Sequence, residues 1–148
     1  MSYLLDTNIL VRLAQPRHDD QRSVAHALRT LHGRPESLSI VPQSLLEFWA
    51  VATRPPANNG LGLTVDVTSK LLGKLKRLFT LLPDSTDIFT EWEAIAVKYQ
   101  VSGKQVYDAR LVAAMRIYDV THLLTFNTDD FKRYNGITVV NPYSIITM

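Results

Sequence analysis

The chain has 148 residues, 46% hydrophobic and 20% charged, with no cysteine and a net charge of +2. That suits one domain, residues 1–148, able to bury roughly two-thirds of its unfolded surface, and it excludes disulfides and thiolate metal sites. Asp6 interrupts any leader-like core and no apolar run approaches a membrane span, so a soluble protein of a reducing cytoplasm is expected.

Tyr3 to Leu5 reads as a buried strand that runs straight into Asp6, Thr7 and Asn8. A short helix follows and ends near Gln15-Pro16, with Asp6 or Thr7 as its cap. A second helix reaches about His32-Gly33, with Val24, Ala25, Leu28 and Leu31 on one face. Ser39 to Val41 reads as a strand, and Pro42 suits the first turn of the next helix. That helix carries Leu45, Leu46, Glu47, Phe48, Trp49 and Ala52, with Trp49 expected in the core. Pro55 to Gly62 reads as a loop. Thr64 to Leu78 reads as a helix with Val67, Leu71, Leu75 and Leu78 along its apolar stripe. Phe79 to Leu82 is a candidate strand, and helices are expected from Thr86 to Tyr99 and from Gly103 to Tyr118. His122 to Phe126 reads as a strand, Asp129 to Tyr134 as a helical turn and Thr138 to Val140 as a final strand. Asn141-Pro142 closes the pattern. Short apolar strands alternating with helices predict an α/β fold whose small parallel sheet, of about four or five strands, is covered on both faces.

Four acids stand out. Asp6 follows a strand at the end where open α/β sheets place their ligands, although a helix cap alone explains it too. Asp108 has Leu111, Val112 and Met115 one and two helical turns on. A carboxylate on that side faces burial, which calls for something positive to meet it. The plainer reading is a wet acid in a first helical turn. Glu47 falls with Gln43 and Arg54 on the polar side of its helix, as a solvated residue would. The strand Leu123-Leu124-Thr125 also ends in polar groups, Asn127, Asp129 and Asp130, and the two acids there can serve as caps.

Leu5-Asp6-Thr7-Asn8, the isolated Glu47, Asp108-Ala109 and Thr125-Phe126-Asn127-Thr128-Asp129-Asp130-Phe131 occur in an order that resembles the PIN-domain nucleases. Within that fold the chain is similar to VapC toxins of type II toxin–antitoxin pairs. The resemblance implies a three-layer α/β/α sandwich and an acid cluster that binds magnesium or manganese and cuts RNA. Asp6, Glu47 and Asp108 match its three core acids. Asn127 stands where many relatives carry Asp, which bears on a second ion, and Asp130 matches a recurrent acid. Thr7, Asn8, Thr125 and Asn127 match the pocket lining. It also implies a cognate antitoxin whose tail covers the pocket with a basic side chain on Asp6 and Asp108, and a homodimer. Exposed Leu or Val between Val24 and Leu78 are candidates for both interfaces.

Four gathered carboxylates repel one another without a cation. An all-oxygen donor set selects magnesium or manganese over zinc. Asp6 and Asp108 are the expected direct ligands. Glu47 and Asp130 are expected to act through water or as the base, so that hydrolysis leaves a 5′-phosphate and a 3′-hydroxyl. Setting these four aside leaves ten acids against 16 basic residues, a remaining net of +6. Candidate phosphate contacts are Lys70, Lys74, Lys76, Arg77, Lys104, Arg110, Arg116, Lys132 and Arg133. Competing readings are a metal-free ribonuclease using two of His18, His26, His32 and His122, and a phosphatase with an aspartyl nucleophile, which would want an acid where Asn8 stands. A third is a PIN-fold module that binds RNA or protein without catalysis.

Overall fold

The computed structural model describes residues 1–34 and 36–146. In chain order the elements are β1 (Ser2–Leu5), α1 (Thr7–Leu13), α2 (Gln21–His32), β2 (Ser37–Ile40), α3 (Pro42–Thr53) and α4 (Val65–Leu78). Then come β3 (Thr80–Leu81), α5 (Thr86–Lys98), α6 (Gln105–Ile117), β4 (His122–Leu124), β5 (Thr138–Val140) and α7 (Pro142–Ile146). Short 3-10 turns cover Pro56–Asn58 and Thr128–Phe131. Among the described residues the five strands form one parallel sheet in the order β3-β2-β1-β4-β5.

Side chains alternate across β1 and β4, so the sheet divides the apolar residues into two cores. Tyr3, Leu5 and Leu124 face α1, α2 and α3 on one side. Leu4 and Leu123 face α5 and α6 on the other. Helix α6 is covered nearly all round, with Ala109, Leu111, Val112, Ala113, Ala114 and Met115 buried. This is the three-layer α/β/α arrangement expected of the chain.

The strand order decides where chemistry can sit. From β1 the chain steps outward to β2 and β3, then returns to the other side of β1 for β4 and β5. Connections therefore leave β1 and β4 in opposite directions, and a crevice opens beyond their carboxyl ends. The Asp6 amide, just past β1, donates to Leu124 O at 3.0 Å, so the two strand ends are locked side by side.

Several local expectations differ from what the molecule does. β2 begins at Ser37 and stops at Ile40, because Val41 takes the N-cap position of α3. β4 stops at Leu124, although the Thr125 amide still donates to Val140 O at 3.0 Å. The stripe on α4 is only partly covered: Leu75 is buried, whereas Val67 is 42% and Leu78 60% exposed. Helix α4 lies against α3 and the edge strand β3, so both ends of its stripe overhang. Trp49 is only partly buried. Asn141-Pro142 does not end the pattern but starts α7. The Asn141 side chain accepts from the Tyr143 amide, Pro142 takes a first-turn position, and Ile145 is buried against the α2 side.

The segment after α3 is tied down rather than loose. The amides of Leu61, Gly62 and Leu63 donate to the carbonyls of Val51, Arg54 and Ala52 at 3.0, 2.8 and 2.8 Å, satisfying the end of the helix. Gly60 passes so close that an added Cβ would stand 2.0 Å from Arg54 O. Gly60→Ala is therefore expected to lower stability by about 1–3 kcal/mol, read as a lower urea midpoint with an unchanged slope.

Candidate active site

The four sequence-selected acids come from four separate segments. Asp6 follows β1, Glu47 lies on α3, Asp108 on the first turn of α6, and Asp130 in the 3-10 turn after β4. Only tertiary structure relates them. Asp6 is 7% exposed, Asp108 and Glu47 are partly buried, and Asp130 is exposed at the rim.

Asp6 is both a cap and a pocket acid. One oxygen accepts from the Thr7 amide at 2.7 Å, and the other accepts from Thr125 Oγ1 at 2.7 Å. Burial nevertheless pushes its carboxyl above the usual range, against the lowering effect of those two bonds, and Glu47 and Asp130 push the same way. Asp108 is pushed up to about 6, first by burial and then by the charges of Asp6, Asp130 and Glu47; Arg133 opposes this weakly. Asp6, Glu47, Asp108 and Asp130 thus stand near enough for each charge to act on its neighbours. The cation expected to meet Asp108 is not an ion pair: among the described residues no Lys, Arg or His stands within pairing distance of it.

Thr125 is the hub beneath the acids. Its hydroxyl donates to Asp6 and accepts from Asn8 Nδ2 at 3.2 Å and from the Asn127 amide at 3.0 Å. Asn8 Oδ1 accepts in turn from the Phe126 amide at 3.3 Å. Thr7 bridges to the third acid, donating from Oγ1 to Glu47 Oε2 at 2.7 Å. Gln43 holds the other Glu47 oxygen at 3.1 Å. Glu47 is therefore a held side chain, not a freely solvated one. Asn127 occupies the N-cap position of the 3-10 turn without a side-chain cap bond, and Asp129 turns away to pair with Lys132. Thr125→Val would strand Asp6 Oδ2, Asn8 Nδ2 and the Asn127 amide at once. It is expected to cost about 1–3 kcal/mol, and Thr125→Ser much less, measured by urea unfolding.

The donor set is all oxygen and anionic, which fits a hard divalent cation. Among the described residues no three His, Cys, Asp or Glu side chains are grouped closely enough to hold a metal ion. The histidines stand elsewhere. His122 opens β4 at the amino end of that strand, His18 lies beside Asp20, and His26 and His32 are exposed on α2.

Sequence reasoning overlooked the partners that hold Glu47 in place. The spacing of Gln43 and Glu47, one helical turn apart, was the available signal. The link to Thr7 left none, since it depends on a contact between distant segments. The basic candidates also divide. Lys70, Arg110, Arg116 and Lys132 pair with Asp66, Asp84, Glu91 and Asp129. Arg133 donates to Gln105 and Tyr99 O and lies over the Tyr134 ring. Lys74, Lys76, Arg77 and Lys104 pair with no acid among the described residues.

A five-stranded parallel sheet with Asp6 and Thr125 joined at its switch point defines an α/β domain whose acids gather near the carboxyl ends of its central strands. The family model described as PIN domain matches residues 3–137, and the chain belongs to that family. Solved structures similar to it include VapBC2 from Rickettsia felis bound to a DNA fragment from their promoter, at TM-score 0.73 and 17% identity, covering 95% of this chain and 98% of that one. A toxin–antitoxin complex from Klebsiella pneumoniae is similar at TM-score 0.64 and 26% identity, with coverage of 95% and 98%. VapC20 from Mycobacterium tuberculosis, described as a Sarcin-Ricin loop cleaving toxin, is similar at TM-score 0.65 and 14% identity, with coverage of 88% and 93%. No curated protein matches in sequence. Among the described residues no helix is long and apolar enough to cross a membrane.

Proposed function

We propose that residues 1–148 act as one PIN domain and that the chain is a divalent-cation-dependent endoribonuclease, the toxin of a type II toxin–antitoxin pair. The observation that carries this reading is geometric: Asp6, held by Thr7 and Thr125, and Glu47, held by Thr7, stand near enough to Asp108 and Asp130 for their charges to act on one another, with no cation paired to Asp108 among the described residues. Toxin–antitoxin complexes among the similar structures support the biological setting.

Asp6 and Asp108 would hold a magnesium or manganese ion directly, with Glu47 and Asp130 reaching it through water. The ion would supply charge stabilisation at the phosphate and orient the attacking water. Glu47, held by Thr7 and Gln43, is placed to accept the proton of that water. Asp130, exposed at the rim, would act through water or serve as the base instead. Thr125 and Asn8 keep Asp6 turned into the pocket, and Asn127 lines its mouth. Hydrolysis in this arrangement leaves a 5′-phosphate and a 3′-hydroxyl. No histidine bonds to Asp6, Glu47, Asp108 or Asp130 among the described residues, and this speaks against a metal-free route.

Of the basic candidates, Lys74, Lys76, Arg77 and Lys104 pair with no acid among the described residues and so are free to attract RNA. A cognate antitoxin would close the pocket with a basic side chain on Asp6 and Asp108. Exposed apolar side chains, Leu46 at 73%, Leu78 at 60% and Phe89 at 61%, offer surface for that partner and for a second copy. Action in the cytoplasm follows from an RNA substrate. The deciding test is cleavage of total RNA after brief induction, with cut ends mapped. Cleavage that needs Mg²⁺ or Mn²⁺ and stops with EDTA supports the reading. RNA or protein binding with no cleavage under any divalent ion supports a non-catalytic module instead.

A further inference from the structure

Arg110 follows Asp108 by two residues on α6, and its charge invites an RNA phosphate. Its side chain is engaged elsewhere. Nη2 donates to Asp84 Oδ1 at 3.1 Å, in the link before α5. Nη1 donates to Gln43 Oε1 at 3.4 Å, a long contact strengthened by the full charge on the donor. A guanidinium has donors only, so it decides which way the Gln43 amide is turned. The amide oxygen faces Arg110, and the NH₂ group faces the other way. That group donates to Glu47 Oε1 at 3.1 Å and to Tyr107 O at 2.9 Å. With the amide reversed, its oxygen would confront the Glu47 carboxylate. Asp84, Arg110, Gln43 and Glu47 thus form one line of hydrogen bonds across three segments, along a cleft of about 300 Å³ beside the acid pocket.

Glu47 needs such a line. It sits on the outer side of α3 with Leu46 exposed beside it. A glutamate left free there keeps rotamer entropy that fixing must overcome. Thr7 holds one oxygen from α1, and Gln43 holds the other only while its amide is correctly turned.

We infer that Gln43 and Arg110 are positioning residues: Arg110, held by Asp84, orients Gln43, which fixes Glu47 in the acid pocket, and Arg110 does not contact RNA. This inference rests on the cation-binding part of the proposed function, the reading of these acids as a divalent-cation site.

The test uses wild type, Gln43→Leu, Arg110→Met, Arg110→Lys and the Gln43→Leu/Arg110→Met double variant. Mn²⁺ binding is titrated without RNA, and single-turnover cleavage is measured separately. Gln43→Leu is expected to weaken Mn²⁺ binding about tenfold to a hundredfold, as loss of an outer support does. Arg110→Met should weaken it less, and the double variant no more than Gln43→Leu alone, since the arginine acts through the amide. Arg110→Lys should resemble Arg110→Met, because an ammonium cannot span Asp84 and Gln43 as a fork does. Additive losses in the double variant overturn the inference. So does a shallower salt dependence of RNA binding in Arg110→Met, which would put the arginine on a phosphate. Unchanged Mn²⁺ binding in Gln43→Leu, or wild-type behaviour of Arg110→Lys, also overturns it. If Mn²⁺ binding follows the expected order but wild type cuts no RNA, the nuclease reading fails and the positioning role stands. A wild type that binds no Mn²⁺ removes both.

Discussion

Replacing Asp108 by Asn is expected to lower RNA cleavage by about a hundredfold or more while leaving the fold intact. The substitution keeps the size of the side chain and removes its charge. Nothing in the packing depends on that charge, since Asp108 has no ion pair among the described residues and its helix is anchored by Leu111, Val112 and Met115. What the charge does is add to the anionic field that Asp6, Glu47 and Asp130 build in the same pocket. If a cation is held there as proposed, it would lose an anionic ligand and keep only a neutral amide oxygen in its place. Asp6→Asn should act similarly on cleavage, with an added structural cost because Asp6 also accepts from Thr7 and Thr125. Single-turnover cleavage of a defined RNA, with circular dichroism on the same samples, separates chemistry from folding. Cleavage by Asp108→Asn at a rate near wild type would remove this residue from the reaction.

The second large effect is a reversal of thermal stability. Burial and neighbouring acids raise the Asp108 carboxyl from 3.8 to about 6. A group that holds its proton more tightly when folded makes stability fall as pH rises through that window. Below the lower value both states are protonated and the group contributes nothing. Above the upper value its full destabilisation is present. Without divalent ions, Asp108→Asn should therefore melt higher than wild type at about pH 7.5, and the gap should close toward about pH 4. Adding Mn²⁺ should invert the order. Binding to the folded state alone stabilises wild type by about 2.7 kcal/mol at a hundredfold excess over its dissociation constant, and the variant, short of a ligand, gains far less. Scanning fluorimetry over pH and Mn²⁺ reads both halves. A wild type that melts higher than the variant in EDTA would show that the pocket does not strain Asp108.

The alternation of short apolar strands with helices was enough to find nearly every element, because burial on both faces of a parallel sheet leaves a plain apolar signature. Strand β3 was found although both its residues are exposed, since it follows α4 directly. Helix α7 was missed because its first residues, Asn141 and Pro142, read equally as a turn and as a helix start. The stripe on α4 shows the opposite failure. Periodicity reports which side of a helix is apolar, not how far a neighbour extends to cover it, and Val67 and Leu78 remain exposed.

The acids divide along the same line. Asp6 at the end of β1 and Thr125 at the end of β4 were legible from the chain, because a strand that runs into polar groups marks the carboxyl edge of a sheet wherever the strand lies. Glu47 was not legible from its own surroundings. Helical spacing put it on a wet face, and the hydroxyl that holds it comes from Thr7, forty residues earlier. Residue types and their periods suffice to specify elements and the edge on which polar groups gather, since these follow from local hydrogen bonding and burial. Which of those groups share a pocket, which cations are already taken, and how Gln43 is turned depend on strand order and on contacts between distant segments. Those contacts exist only once the sheet has assembled as β3-β2-β1-β4-β5.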